Sequence, residues 1–385
     1  MNIVIDENIP FAEEAFSHLG SVSVLPGRHI TRESLGDVTA LIVRSVTRVN
    51  EKLLAGTGIR FVGTATAGID HIDFEYLSQQ QISFADAAGC NANSVAEYIL
   101  TALATVAARF NFSLEGRSLG IVGVGRIGQL VANIARGLGM EVILNDPPLQ
   151  RKTGNTCYRP LDEILKADIV TLHVPLTKEG IDKTLHLIGE KELAKLSPSS
   201  VLINVSRGEV VNNLALLEGL KNGSLQGAVL DVWEKEPSIN WELVNWVTIA
   251  TPHIAGYSFQ GKINGTRMMY RSACEFFGVT PTWDLSPEMT RTTRLPHAIE
   301  TESLKFQFVV HQLATRLYDL AGDDTRLRSL LSQPVCDRSA GFDKLRKNYP
   351  TRHEFFTSSV GLKNASHSLV SKLNHLGFNA YPIDI

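Results

Sequence analysis

Residues 118–122 form a short apolar run that ends in Gly123-Val124-Gly125-Arg126-Ile127-Gly128, and a helix-period pattern follows directly. A strand, a glycine turn and a helix start in that order define the first half of a βαβ unit. The first glycine permits the tight turn, the second admits a pyrophosphate to the backbone, and the third lets helix and strand pack closely. Asp146 closes the next apolar run, 18 residues after Gly128, where a carboxylate accepts hydrogen bonds from ribose hydroxyls and repels a 2′-phosphate. The pattern predicts NAD as cofactor, held at Gly123, Gly125, Arg126, Ile127, Gly128 and Asp146. Arg151, nearby in sequence, is the residue that would serve a 2′-phosphate instead.

Similar apolar runs recur at 2–5, 40–43, 60–63, 141–144, 169–173, 201–205, 227–230 and 247–250, separated by helical patterns. Such alternation predicts an α/β fold: two doubly wound parallel-sheet (Rossmann-like) domains with a catalytic cleft between them, plus a C-terminal α+β domain. A long helical pattern over 93–110, with Ser94 as N-cap, leads into the strand before the glycine turn, and a second over 261–277 returns to the first domain. The expected division is therefore 1–95 with 256–280 for a discontinuous substrate-binding domain, 96–255 for the NAD-binding domain and 285–385 for a C-terminal domain. Within the last, the spacing predicts an amphipathic helix near 304–320, then strand, helix and strand over 355–360, 365–376 and 378–382.

A chain of 385 residues with 44% hydrophobic and 20% charged residues can bury a large core without staples. Its formal net charge of -3 provides no field for a polyanion, so nucleic acid is excluded as the main partner. Cys90, Cys157, Cys274 and Cys336 lie far apart and outside metal-ligand spacing, which predicts neither a disulfide framework nor a metal site. Asp6 and Glu7 interrupt any N-terminal signal, and no run reaches the ~20 apolar residues of a membrane span, so the expected location is the cytoplasm.

Three segments after the glycine turn place a polar residue at the carboxyl end of an apolar run, where open α/β sheets bind ligands: 201–208, 228–237 and 249–256. Removing hydride from an alcohol requires a base for the hydroxyl proton, a cation for the substrate carboxylate, and a partner that holds the base. Arg207 offers the planar fork that matches a carboxylate, His253 the one side chain that ordinarily titrates near neutrality, and Glu236 a carboxylate to accept the other imidazole N–H.

Together with His173-Val174-Pro175-Leu176-Thr177, Asn204 to Gly208, Asp231 to Pro237 and Thr251 to Gly256, the chain resembles the D-isomer-specific 2-hydroxyacid dehydrogenases over residues 1–280. The resemblance implies that Arg207 binds and polarises a 2-hydroxy acid, that Glu236 pairs with His253, and that His253 is the acid/base. It also places Ser206, Arg207, Gly208, Asp231 and Gly256 on the nicotinamide side. The segments 44–47, 63–70, 251–258 and 342–349 resemble a branch of that family that oxidises a phosphorylated acid and forms a homodimer through its extra C-terminal domain. By that likeness Ser45, Thr66 and Tyr257 contact the substrate.

The turns after residues 43 and 64 offer backbone N–H groups and hydroxyls to a carboxylate or phosphate. The helix near 304–320 is expected to present an apolar face to a second subunit. The basic cluster Lys344, Arg346, Lys347 and Arg352 is a candidate source of a cation for a substrate phosphate, reaching across a dimer. Two rival readings are the D-3-phosphoglycerate dehydrogenases, whose usual βαββαβ regulatory order the tail lacks, and a binding protein that senses NAD without chemistry.

Overall fold

The computed structural model describes residues 1–284 and 292–383. Contacts divide the chain into two compact units, one made of Met1–Asn91 and Ser258–Arg291, the other of Ala92–Tyr257 and Thr292–Ile385.

The first unit is built on parallel strands β1 (Asn2–Asp6), β2 (Ser21–Leu25), β3 (Ala40–Val43), β4 (Phe61–Thr64) and β5 (Ser83–Asp86), ordered β2-β1-β3-β4-β5. The central strands β3 and β4 are buried on both faces, as a parallel sheet covered by helices requires. Helix Phe259–Phe277, capped by the Ser258 hydroxyl accepting the Gly261 N–H, packs against β4 and β5 and buries Met269, Tyr270, Ala273 and Cys274.

The second unit carries β6 (Ser118–Val122), β7 (Glu141–Asn145), β8 (Ile169–Leu172), β9 (Val201–Asn204), β10 (Gly227–Leu230) and β11 (Ile249–Ala250), all parallel and ordered β11-β10-β9-β8-β6-β7. The chain leaves β6 for β7 on one side and returns to β8 on the other. That reversal opens a crevice at the carboxyl end of β6, directly above the glycine turn.

Helix Ala92–Arg109 covers this sheet and is buried almost all round. Ser94 lies inside its first turn rather than at its N-cap, and its hydroxyl donates to Glu354 at 2.7 Å. The long helix therefore starts three residues earlier than a Ser94 cap implies.

The C-terminal residues add a small parallel sheet of β12 (Thr293–Arg294), β13 (Ile299–Glu300), β14 (Ser358–Lys363) and β15 (Asn379–Ile383), with β14 paired to each of the others. The helix expected near 304–320 is Phe306–Leu317; a second, Leu320–Ser329, follows it, capped by Asp319, which accepts the Gly322 N–H at 2.9 Å. The apolar face expected to meet another subunit is already covered. Val309, Val310, Leu313 and Ala314 are fully buried on a helix that packs against Ala92–Arg109 of the same chain, each large side chain contributing roughly 1.5–3 kcal/mol by leaving water.

Candidate active site

The glycine turn has the shape a dinucleotide needs. Gly123 adopts φ 89, and a Cβ there would lie 2.6 Å from the His173 carbonyl oxygen. At Gly128 a Cβ would meet the Gly123 carbonyl at 2.1 Å, so helix Arg126–Gly137 can start this close to the sheet only without a side chain. Gly125, by contrast, has nothing within 4 Å of its would-be Cβ, leaving its backbone open to a pyrophosphate beside the helix N-terminus that carries Arg126 and Ile127.

Asp146 follows β7 and joins two elements. One oxygen caps helix Pro147–Thr153 by accepting the Leu149 N–H at 2.9 Å, and the other accepts the Val124 N–H of the turn at 2.8 Å. Carboxylate oxygens accept more than one bond, so both retain capacity for ribose hydroxyls. Arg151 is committed elsewhere, in an ion pair with Asp182 at 2.5 Å. These residues fit NAD.

Beyond β9, buried Asn204 fixes the next loop. Its Oδ1 accepts the Ser206 N–H at 3.0 Å and hydroxyl at 2.7 Å, while its Nδ2 donates to the Arg207 carbonyl at 2.9 Å. Gly208 then passes the Trp233 backbone so closely that a Cβ would approach it to 1.9 Å. The loop is thereby pinned on both sides of Arg207, whose guanidinium donates to the Ser206 carbonyl at 2.7 Å.

The loops after β10 and β11 bring the other two candidates together. His253 Nδ1 meets Glu236 Oε2 at 2.7 Å, and Glu236 Oε1 accepts the Trp233 N–H at 2.9 Å. Burial pushes the Glu236 carboxyl up, but the imidazole, its hydrogen bond, the Arg346 charge and the Trp233 N–H outweigh burial and hold it below its ordinary value. Glu236 has 17% of its side chain exposed and His253 32%. The carboxylate is thus enclosed behind a ring that keeps its other edge accessible.

His253 has φ 57, a left-handed conformation that costs a β-carbon residue energy and persists only where the surroundings impose it. Asp231 imposes it. Its main-chain carbonyl accepts the His253 N–H at 2.7 Å; its carboxylate accepts the Thr251 hydroxyl at 2.6 Å and the Ile254 and Ala255 N–H groups at 2.8 and 2.9 Å. The fully buried carboxyl is pushed above its usual range by desolvation, against the pull of His253 and these donors. Its side chain thereby holds the loop that carries His253 to Gly256.

Tyr257 follows this loop. Its hydroxyl accepts a hydrogen bond from Arg346 Nη2 at 3.1 Å, the Arg346 guanidinium lies 5.8 Å from the center of its ring, and Tyr349 meets that ring edge-on with centroids 5.8 Å apart. Of the basic cluster in the tail, Arg346 alone is turned this way. Lys344 and Lys347 are exposed, and buried Arg352 donates to the Ser94 and Ala255 carbonyls at 3.1 and 2.7 Å while lying over the Tyr318 ring. Arg346 reaches Tyr257 from its own chain and needs no second subunit.

Within the first unit, exposed Ser45 follows β3, and half-buried Thr66 follows β4. The Thr66 hydroxyl pairs with that of Thr64 at 2.9 Å, and Thr64 in turn meets His71 Nε2 at 3.0 Å. Asn204, Tyr349 and His71 are not marked for these roles by spacing, because each acts through a fold contact that no local pattern encodes. Among the described residues no group of three His, Cys, Asp or Glu could hold a metal ion, and no helix is long and apolar enough to cross a membrane.

A sheet with a dinucleotide turn at its switch point and a carboxylate-backed imidazole nearby matches the NAD binding domain of the D-isomer specific 2-hydroxyacid dehydrogenases, whose family profile covers residues 101–255. The chain belongs to that family and is an NAD-dependent oxidoreductase. More particularly, it is 44% identical over 381 residues to the erythronate-4-phosphate dehydrogenase of Proteus mirabilis, covering 99% of each chain. It is 45% identical over 386 residues to that of Escherichia fergusonii, covering 99% of this chain and 98% of the other.

Among solved structures, D-lactate dehydrogenase from Aquifex aeolicus complexed with NAD and lactic acid matches with TM-score 0.61 and 26% identity, over 72% of this chain and 96% of that one. Residues 293–377 match a domain of unknown function, DUF3410.

Proposed function

We propose that the protein oxidises 4-phospho-D-erythronate at carbon 2 to (R)-3-hydroxy-2-oxo-4-phosphooxybutanoate, a step toward pyridoxal 5′-phosphate. The name shared by near-full-length relatives supports this substrate, and the His253–Glu236 contact of 2.7 Å carries the chemistry. Glu236, ionised, accepts the Nδ1–H of His253, which leaves Nε2 without a proton and able to take the one on the substrate hydroxyl. The ion pair formed as the imidazole becomes positive is stabilised by the enclosed carboxylate. Arg207 pairs with the substrate carboxylate through two parallel N–H donors and polarises the carbonyl that develops at carbon 2. NAD, when bound on the glycine turn, supplies the hydride acceptor.

Ser45, Thr66 and Tyr257 are the residues assigned to binding the rest of the substrate. The same reading assigns 1–95 with 256–280 to substrate binding, 96–255 to the cofactor and 285–385 to a homodimer, in the cytoplasm. Absorbance of reduced nicotinamide after mixing protein, NAD and 4-phosphoerythronate tests it, with 3-phosphoglycerate as control. A signal with the first acid and little with the second is expected; a preference for 3-phosphoglycerate, or no signal with either, overturns it.

A further inference from the structure

The tail of the chain places a guanidinium beside the catalytic pair under unusual conditions. Arg346 sits on helix Val335–Lys347, its Nε is shielded from solvent without a hydrogen-bond partner, and among the described residues no carboxylate lies within ion-pairing distance of it. Its partners are the Tyr257 hydroxyl and ring. A guanidinium has five N–H donors and a charge that is costly to desolvate, so one tyrosine leaves it far from satisfied. Glu236, the nearby carboxylate whose field it feels, is already bonded to His253 and to the Trp233 N–H.

The charges in this unit then have an unfilled place. Glu236 balances the imidazole when His253 takes a proton, and Arg207 balances a substrate carboxylate. Arg346 has no anion of its own. The missing partner has the properties of a phosphate: a dianion near neutral pH, with several oxygens arranged for a forked donor. Tyr349, from the same tail, packs edge-on against Tyr257 and is anchored by donating to buried Asp323 at 2.7 Å, so the group that Arg346 bonds is itself fixed.

We infer that Arg346, supplied by the domain of unknown function, is a specificity residue that recognises the phosphate of the substrate from within the same chain. The inference rests on the substrate reading above. It gives residues 293–377 a part in substrate selection that assembly of subunits does not require.

The test compares kcat/KM for 4-phosphoerythronate with that for unphosphorylated erythronate in the wild-type protein, Arg346→Gln and Arg346→Lys. Any effect of Arg346 on Glu236 or His253 acts on both acids and cancels in the ratio, and Tyr257→Phe, measured alongside, gives the share that passes through the tyrosine hydroxyl. Loss of charge-assisted bonds to phosphate does not cancel. The ratio is expected to fall by about 30-fold or more in Arg346→Gln and by less in Arg346→Lys, which keeps the charge and loses the fork. NAD binding followed by fluorescence confirms that both variants fold. A ratio within about 3-fold of wild type in both variants overturns the inference while leaving the substrate reading intact. Absence of wild-type activity on 4-phosphoerythronate sinks the substrate reading itself, and this inference with it.

Discussion

Replacing Asp231 with Asn separates two roles that its position next to the catalytic loop could serve. In the wild type one carboxylate oxygen accepts the Thr251 hydroxyl and the Ile254 N–H, and the other accepts the Ala255 N–H. The Asn amide oxygen can keep the first pair, but its NH2 then faces the Ala255 N–H, donor against donor. A buried N–H left unpaired costs about 1–3 kcal/mol, and the two surviving bonds each drop from charge-assisted to neutral strength, about 1 kcal/mol apiece. The sum, about 3–5 kcal/mol, corresponds to a fall in Tm of roughly 10 °C for a unit of this size. Because the lost bond lies two residues from His253, the ring shifts, and a displacement near 1 Å lowers kcat by about 100-fold. NAD affinity, measured by fluorescence titration, stays within about 3-fold, since the carboxylate faces the loop. Weakened NAD binding with an unchanged Tm would refute this reasoning and return Asp231 to the cofactor.

Asp146→Asn removes the charge that selects ribose hydroxyls; Kd for NAD is expected to rise about 10-fold or more and the gap between NAD and NADP to narrow, whereas an unchanged ratio of the two dissociation constants contradicts the assignment. His173 Nδ1 is shielded and unpaired, and burial pushes the imidazole down to about 3. Unfolded, it takes a proton near its ordinary pKa of about 6.5, so its contribution is fully present above that pH and is lost on acidification toward the folded value, by up to ~1.4 kcal/mol per pH unit. His173→Gln should flatten the decline of the urea midpoint between pH 7 and 4; an identical slope counts against the burial argument. Leu313→Ala is expected to cost about 2–5 kcal/mol at every protein concentration, because Leu313 packs inside its own chain. A loss that appears only on dilution would place it at a subunit interface.

Much of this arrangement was legible in the sequence because parallel strands buried on both faces read as continuous apolar runs, and β3, β6, β8, β9 and β10 do. The glycine turn and Asp146 carry their own spacing, as do the strand-end segments with Arg207, Glu236 and His253. Edge strand β2 and strand β5 were not legible, since they are only partly buried and lack such a run. Strands β12 and β13 have two residues each, too few for any period. Helices Leu320–Ser329 and Val335–Lys347 bury few residues, so no apolar stripe marks them. Arg346 shares one run of charge with Lys344 and Lys347, and only the packing of its helix distinguishes it. Asp231 could be placed at a strand end, but its bonds to Thr251, Ile254 and Ala255 depend on how β11 aligns beside β10.

The most direct test of the catalytic assignment is the turnover of His253→Gln with NAD and 4-phosphoerythronate, measured beside its NAD dissociation constant. Loss of the proton acceptor is expected to lower kcat by ~10²–10⁴ while NAD binding is retained. A variant that still reduces NAD within a few-fold of the wild-type rate would show that some other group takes the hydroxyl proton.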